Sequence, residues 1–277
     1  MACEKPVFVQ SQNMHVPCGA CILCKKKKVS EWLVRLTHEM QYIDTGRVYT
    51  LTYDTKYLPT NNSLSKRDVK LFLKVIRERI RTKQPNRPPL VHFLSGEYGG
   101  KSHRPHYHAI ILGLTAEDDP MIENAWGKGY THADNVDEAS IKYTIGYVYK
   151  KYGSENSLRN KILYKSKGMQ PPFQLQSNGI GKRWCTDNAG YLKEKGYLTI
   201  QGVKYAIPRA YRQWLRIPGD QALAHIKEEM DKLTDEFQKR GIKPDSIEAK
   251  LLVMASNKQK ALNFRAKQEL FHPRNTI

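Results

Sequence analysis

Apolar positions in this chain switch between helical and strand spacing, and the switches predict the order of its elements. In "KKKKVSEWLVRLTHEMQY", Trp32, Leu33, Leu36 and Met40 recur at helical spacing and predict an amphipathic helix over about 28–44. "GRVYTLTYD" (46–54) turns to β-branched and aromatic residues and predicts a strand, ended by Asp54 and the polar "PTNNS". Helical spacing returns in "SLSKRDVKLFLKVIRERIRTK". Ser65 and Asp68 stand at capping-box spacing, Val69, Leu71, Phe72, Val75, Ile76 and Ile80 supply the apolar face, and "QPNRPP" breaks the pattern. "LVHFLSGEYG" (90–99) and "HYHAIILGL" predict two strands, hairpin-paired through "GGKSHRP". "DEASIKYTIGYVYKKYG" (137–153) predicts a helix closed by Gly153. From 160 to 210 the pattern is irregular, with "QSNGIGKRW" and "IPRAY" standing out. Beyond Gly219 two long, charged stretches carry helical spacing.

The order β-α-β-β-α predicts an α+β fold: an antiparallel sheet with helices packed on one side and a C-terminal helical extension. The expected division is an N-terminal cysteine cluster and helix (1–45), a sheet-bearing domain (46–210) and a C-terminal helical region (211–277). No apolar run is long enough to span a bilayer. "MACEKPVFVQ" lacks the basic-then-apolar pattern of a secretory signal, so a soluble intracellular protein is expected.

Charge narrows the partner. Lys and Arg outnumber Asp and Glu by 46 to 27, a formal net charge of +19. Such an excess favours a polyanion, because each phosphate contacted releases condensed counterions. Nucleic acid is the expected partner, ahead of an acidic membrane or mere solubility. The run Lys25 to Lys28 reads equally as a solvated loop or as a contact tracking a nucleic-acid backbone.

Cys18, Cys21 and Cys24 form a C-x-x-C-x-x-C array, with Cys3 upstream and Cys185 distant. Without a secretory signal a disulfide framework explains them poorly. Cys3 looping back as a fourth thiolate would close a tetrahedral zinc site. The competing reading is a chance cluster of reduced thiols.

Side chains two apart on a strand share a face, so His106 and His108 project together with Tyr107 turned away. Glu97, near the end of the preceding strand, is brought beside them by a short hairpin. Two imidazoles and a carboxylate leave coordination positions open, as a catalytic metal requires. Tyr143 and Tyr147, four apart, lie on one face of the predicted helix, with Lys150 and Lys151 following. A tyrosine beside a cation can serve as a covalent nucleophile on a phosphodiester. Each feature alone also reads blandly, as polar strand residues or an aromatic stripe facing the core.

"YTLTYD" (49–54), "GEYG…RPHYHAIILG" (96–113) and "YTIGYVYKK" (143–151) occur in the order of the three motifs of His-hydrophobic-His endonucleases, and together they resemble that superfamily. Within it the chain is similar to the replication initiators of Microviridae, small circular single-stranded DNA phages, especially the gokushovirus branch. "VPCGACILC" and "GIGKRW" (179–184) share that likeness, which covers roughly 1–210. The resemblance implies a ferredoxin- or RRM-like palm, and His106, His108 and Glu97 holding Mg²⁺ or Mn²⁺. Tyr143 and Tyr147 match the active tyrosines and Lys150 the lysine after them, standing three residues beyond Tyr147. Gly146 replaces a basic residue that some relatives carry. The implied activity is nicking and rejoining of single-stranded DNA at a phage origin in rolling-circle replication, in the cytoplasm of the bacterial host, alongside host helicase or other replication proteins. No membrane partner is implied.

Gly179 and Gly181, with Lys182 beside them, read as a plain turn or a phosphate-approaching one. Tyr49, Tyr53 and Trp184, among basic residues, are candidates to stack unpaired bases. Two other readings use the same residues: a non-catalytic nucleic-acid-binding protein with structural zinc, and a plasmid or transposon endonuclease of the same chemistry.

Overall fold

A computed structural model describes residues 3–12, 14–99, 102–150, 162, 164–217, 224–244 and 246–271; for 12, 14, 15, 147–150, 224–230 and 267–271 it describes the backbone alone. The chain divides into two compact units, 35–184 and the pairing of 1–34 with 185–277.

The first elements of the chain are β1 (Val7–Val9), paired antiparallel with β2 (Met14–Val16), and helix α1 (Ile22–Glu39). The helix begins earlier than its apolar spacing predicted. Its first turns take in Cys24 and the lysine run, which is therefore helical rather than a loop.

The 35–184 unit is built on a five-stranded antiparallel sheet. Strand β3 (Gly46–Thr52) leads through the capped helix α2 (Lys66–Lys83) to the hairpin of β4 (Val91–Tyr98) and β5 (Pro105–Leu112). Helix α3 (Asp119–Trp126) and strand β6 (Thr131–Asn135) follow, then α4 (Glu138–Lys150) and strand β7 (Phe173–Gln176). The strand order is β6-β3-β5-β4-β7, which puts the histidine strand β5 in the middle. The α+β class is thus correct.

Alternation along the strands sorts the two faces. Tyr49, Leu51, Leu94, Tyr107, Ala109 and Ile111 point to one face, where Val69, Phe72, Leu73, Ile76 and Ile80 of α2 and Ile122 and Trp126 of α3 complete the core. Each such side chain taken from water is worth about 1.5–3 kcal/mol. On α2, Leu71 is exposed and Leu73 takes the buried place, a correction to the predicted apolar face. The cap differs too. Ser65 Oγ accepts from the Asp68 N–H, but the reciprocal half of the box is replaced. The Ser65 N–H donates to the Tyr107 hydroxyl, and the Asp68 carboxylate accepts from the Tyr53 hydroxyl. The cap is thereby tied to the sheet.

Helices lie on both faces rather than one. α4 packs on β4 and β5, and the Tyr143 ring meets the His108 ring edge-on. Ile141, Thr144 and Ile145 are its buried positions. Gly153, expected to close this helix, lies outside the described residues.

The stretch expected to be irregular carries several short elements. Besides β7 these are α5 (Lys182–Asp187), α6 (Ala189–Lys195), the hairpin of β8 (Tyr197–Ile200) and β9 (Val203–Ala206), and α7 (Arg209–Leu215). Gln201 and Gly202 form the hairpin's two-residue turn, both at positive φ, as a turn matching strand twist requires. Helices α8 (Ala224–Lys239) and α9 (Ile247–Phe271) end the described chain. Within the terminal unit, α9 returns to the N-terminal segment: Asn257 Nδ2 donates to the Cys3 carbonyl and Arg265 pairs with Glu4. No helix among the described residues is long and apolar enough to cross a membrane.

Candidate metal and nucleotidyl-transfer site

Register builds the site. Glu97 sits directly opposite His106 across the β4–β5 ladder, and Ser95 opposite His108. On the other side of β5, Thr52 faces His106 and Thr50 faces His108. All these side chains share the face turned from the α2 core, while Tyr107 points into that core, as alternation demands.

Glu97 Oε1 lies 2.9 Å from His106 Nε2 and 3.4 Å from His108 Nε2. Adjacent ligands of an octahedral ion with bonds of about 2.1 Å stand about 3 Å apart, so these separations suit such a cation. Second contacts fix the rings. His106 Nδ1 is 3.3 Å from the Arg104 carbonyl, to which only a ring N–H can donate. A neutral His106 then turns the bare lone pair of Nε2 toward a carboxylate oxygen, an arrangement that a proton or a metal ion must reconcile. His108 Nδ1 meets Thr50 Oγ1 at 3.2 Å.

Burial disfavours charge on Glu97, yet contacts from His106 and His108 outweigh it and hold the carboxyl below its ordinary range. Burial holds His108 toward its neutral form, and the Glu97 carboxylate opposes this only in part. An anionic carboxylate beside a neutral imidazole is the protonation state a divalent cation needs. Among the described residues Glu97 Oε2, Ser95 Oγ and Thr144 Oγ1 are buried without a hydrogen-bond partner. For Glu97 Oε2 a cation would supply what the protein does not. These donors fit the divalent ion the sequence anticipated.

Tyr143 comes to this site. Its ring centroid is 6.2 Å from that of His108, and the residue is 42% exposed, so the phenol is within reach of a substrate. Tyr147 and Lys150 lie on the backbone of α4, but their side chains fall outside the described part, and Lys151 lies outside it altogether.

Other predicted contacts are elsewhere. Tyr49 and Tyr53 are buried, which closes both rings to base stacking. The Tyr49 hydroxyl donates to Asp119, and the Tyr53 hydroxyl contacts Asp68 and Tyr107. Positions 49, 51 and 53 alternate onto the core face with Leu51, a signal their basic neighbours obscured. Trp184 stacks on His38 at 3.4 Å between centroids, so one ring face is already covered. Gly179 and Gly181 have positive φ, and the Gly181 N–H donates to the Glu39 carboxylate. That donor is spent within the fold, as the plain-turn reading expects, and Lys182 beside it is exposed. Thr50 and Ser95, flanking His108, were not anticipated; strand register alone would have found them.

The second cluster lies in the terminal unit. The Sγ atoms of Cys3, Cys18, Cys21 and Cys24 all fall within 4.8 Å of one another. Two separations are 3.7 and 3.8 Å. Four sulfurs at Zn–S bonds of about 2.3 Å in a tetrahedron stand about 3.8 Å apart. Backbone N–H groups of Cys18 and Cys21 donate to Cys3 and Cys18 sulfurs at 3.3 Å. Burial works against charge on Cys21, but N–H donation from Glu4 and Cys24 prevails and lowers its thiol to about 7. Cys24 is pushed well up by burial and by its Cys21 neighbour. All four thiols are reduced, and the donor set fits a structural zinc ion.

Residues 46–152, which contain the histidine pair, Glu97 and α4, match the family described as replication-associated protein ORF2. The chain is 27% identical over 233 residues to the replication-associated protein VP4 of Bdellovibrio phage phiMH2K, covering 77% of this chain and 71% of that protein. It is 27% identical over 251 residues to the replication-associated protein ORF2 of Spiroplasma virus 4, covering 80% and 74% of the two chains. Against the replication-associated protein ORF4 of Chlamydia phage 1 it is 24% identical over 228 residues, covering 75% and 55%. No solved structure matches the chain at a significant level. A sequence that pairs this histidine strand with a match of such breadth belongs to the ORF2 family of replication-associated proteins found in Microviridae-type phages.

Proposed function

We propose that the protein is a metal-dependent endonuclease and strand transferase that nicks and rejoins single-stranded DNA at a phage origin to drive rolling-circle replication. The observation that carries this reading is the convergence of Glu97, His106 and His108 on one sheet face with the Tyr143 ring beside His108. In this reading residues 46–210 form the catalytic domain, acting in the cytoplasm of the host bacterium.

His106, His108 and Glu97 would hold Mg²⁺ or Mn²⁺. When bound, the cation supplies Lewis-acid polarisation of a phosphodiester oxygen. The chain's own groups do the rest. The phenol of Tyr143 or Tyr147 attacks phosphorus in line, forming an O–P bond as the bond to the 3′ oxygen breaks. The phenolic proton is lost, and the leaving 3′ oxygen gains one from solvent. The DNA 5′ phosphate stays on tyrosine, so attack by a 3′ hydroxyl restores the phosphodiester without ATP. Lys150, following Tyr147 on α4, would neutralise charge developing at the phosphate. We assign the four cysteines to structural zinc, which would fasten the N-terminal segment beside α9.

Incubation with origin single-stranded DNA and Mn²⁺ tests the reading. A covalent protein–DNA adduct is expected, and the double change Tyr143→Phe, Tyr147→Phe should abolish it. An undiminished adduct would assign another nucleophile. Absence of any adduct under all divalent ions, with zinc tightly held at His106 and His108, would favour a non-catalytic binding protein.

A further inference from the structure

A cavity of about 520 Å³ opens where β3 ends, lined by Thr52, Asp54, Tyr57, Glu123, Gly129 and Tyr130 among others. We propose that it is a subsite for one unpaired nucleobase of single-stranded DNA, stacked by Tyr57 and Tyr130 and read by the carboxylates of Asp54 and Glu123. This rests on the DNA-processing reading above and names where the strand is gripped.

The two aromatic residues are 45% and 67% exposed, unlike Tyr49 and Tyr53, which the core has claimed. Lys56 and Lys128 place their ammonium groups 5.0 and 6.0 Å from the Tyr57 ring centroid. Exposed π-faces among cations are what a strand with stackable bases and a phosphate backbone requires. The lining carboxylates argue against a phosphate inside the cavity itself. They suit instead a base edge with N–H donors, as acidic side chains accept from the cytosine amine. The bound base is therefore one bearing an exocyclic amine.

The cavity is rigid and adjoins the metal-ligand cluster. Thr52 N–H donates to the Tyr130 carbonyl at 2.9 Å, Asp54 N–H to the Lys128 carbonyl at 2.8 Å, and Trp126 Nε1 to the Thr52 carbonyl at 2.7 Å. Gly129 permits this approach: at φ +157° a Cβ there would fall 2.4 Å from the Asp54 nitrogen. Thr52 is also the direct ladder partner of His106. A base in the cavity thus belongs to the strand whose phosphate reaches the histidines.

Binding is measured by fluorescence anisotropy in EDTA, so the result does not depend on cleavage, using oligonucleotides with an abasic site moved one position at a time. One position should be sensitive in the wild-type protein. Tyr57→Ala and Tyr130→Ala should each weaken the intact oligonucleotide by about five- to a hundredfold and erase that sensitivity, while the Phe variants retain both. At the sensitive position cytosine should bind more tightly than thymine, and Asp54→Asn with Glu123→Gln should remove the preference. Ala variants that fold and bind as the wild type does, or a flat abasic scan, would overturn the subsite. Normal subsite behaviour with no adduct under Mn²⁺ would sink the catalytic reading and leave this one standing.

Discussion

His106 Nε2 and Glu97 Oε1 lie 2.9 Å apart as direct partners across the β4–β5 ladder. Because His106 Nδ1 faces a carbonyl that only accepts, this contact is set for a positive centre rather than a neutral hydrogen bond. Glu97→Gln preserves the shape and removes the charge. Mn²⁺ affinity, read by calorimetry, is expected to fall at least about tenfold, with adduct yield at limiting Mn²⁺ falling alongside. Unchanged Mn²⁺ affinity would remove Glu97 from the ligand set.

The cysteine cluster makes a separate prediction. Purified protein should carry one zinc per chain, lost in Cys18→Ser and Cys21→Ser. Chelation should expose the N-terminal segment to protease, since beyond the cluster Cys3 and Glu4 are held to α9 by single contacts from Asn257 and Arg265. Mn²⁺-dependent adduct formation should return on adding Mn²⁺ after chelation. Metal-free protein with an unaltered digestion pattern would show that the thiols cluster without an ion.

Acid should destabilise the sheet unit through His92. Its Nδ1 accepts from Ser177 Oγ at 2.7 Å and from Arg77 Nη2 at 2.9 Å, so protonation breaks both contacts. Burial, helped by the nearby Arg77 charge, lowers its pKa to about 4. The unfolded chain takes up the proton near pH 6.5 and the folded chain only near 4. Stability is therefore full above 6.5, falls as pH drops through that window and levels off below 4. The loss amounts to at most about 3 kcal/mol. His92→Gln should flatten the urea-midpoint profile between these limits; an equally steep profile would place the acid sensitivity elsewhere, His38 being the next candidate, since burial also lowers it to about 4.

Periodicity exposed the parts of the fold where apolar residues repeat. β3, β5 and α2 were legible because Leu51, Ile111, Phe72 and Ile76 repeat at the spacing of their elements. β6 was not, because in "THADN" only Ala133 is apolar and the strand lies at the sheet edge. The four residues of β7 are too few to show a period. The triad of Glu97, His106 and His108 was readable because a hairpin register turns a linear spacing into a contact. Tyr57 and Tyr130 were invisible for the opposite reason. They are far apart in sequence, and what joins them is a pair of backbone hydrogen bonds that leave no compositional mark.

The sheet is braced opposite its hairpin by Arg47, which donates from Nε and Nη2 to the two carboxylate oxygens of Asp119 and from Nη1 to Asn135. Tyr49 donates to the same carboxylate at 2.7 Å. Arg47 keeps 10% of its side chain in water and Asp119 26%, so the pair is largely desolvated. Asp119→Ala strands a guanidinium and a phenol and is expected to cost about 3 kcal/mol, the low end for a broken buried pair. Replacing both charges, with Arg47→Met and Asp119→Leu, leaves no uncompensated ion and should cost less than the single change despite altering more atoms. Urea denaturation of the three proteins decides it: if the double variant is the least stable, the bridge itself, rather than avoidance of a stranded charge, holds β3 to α3.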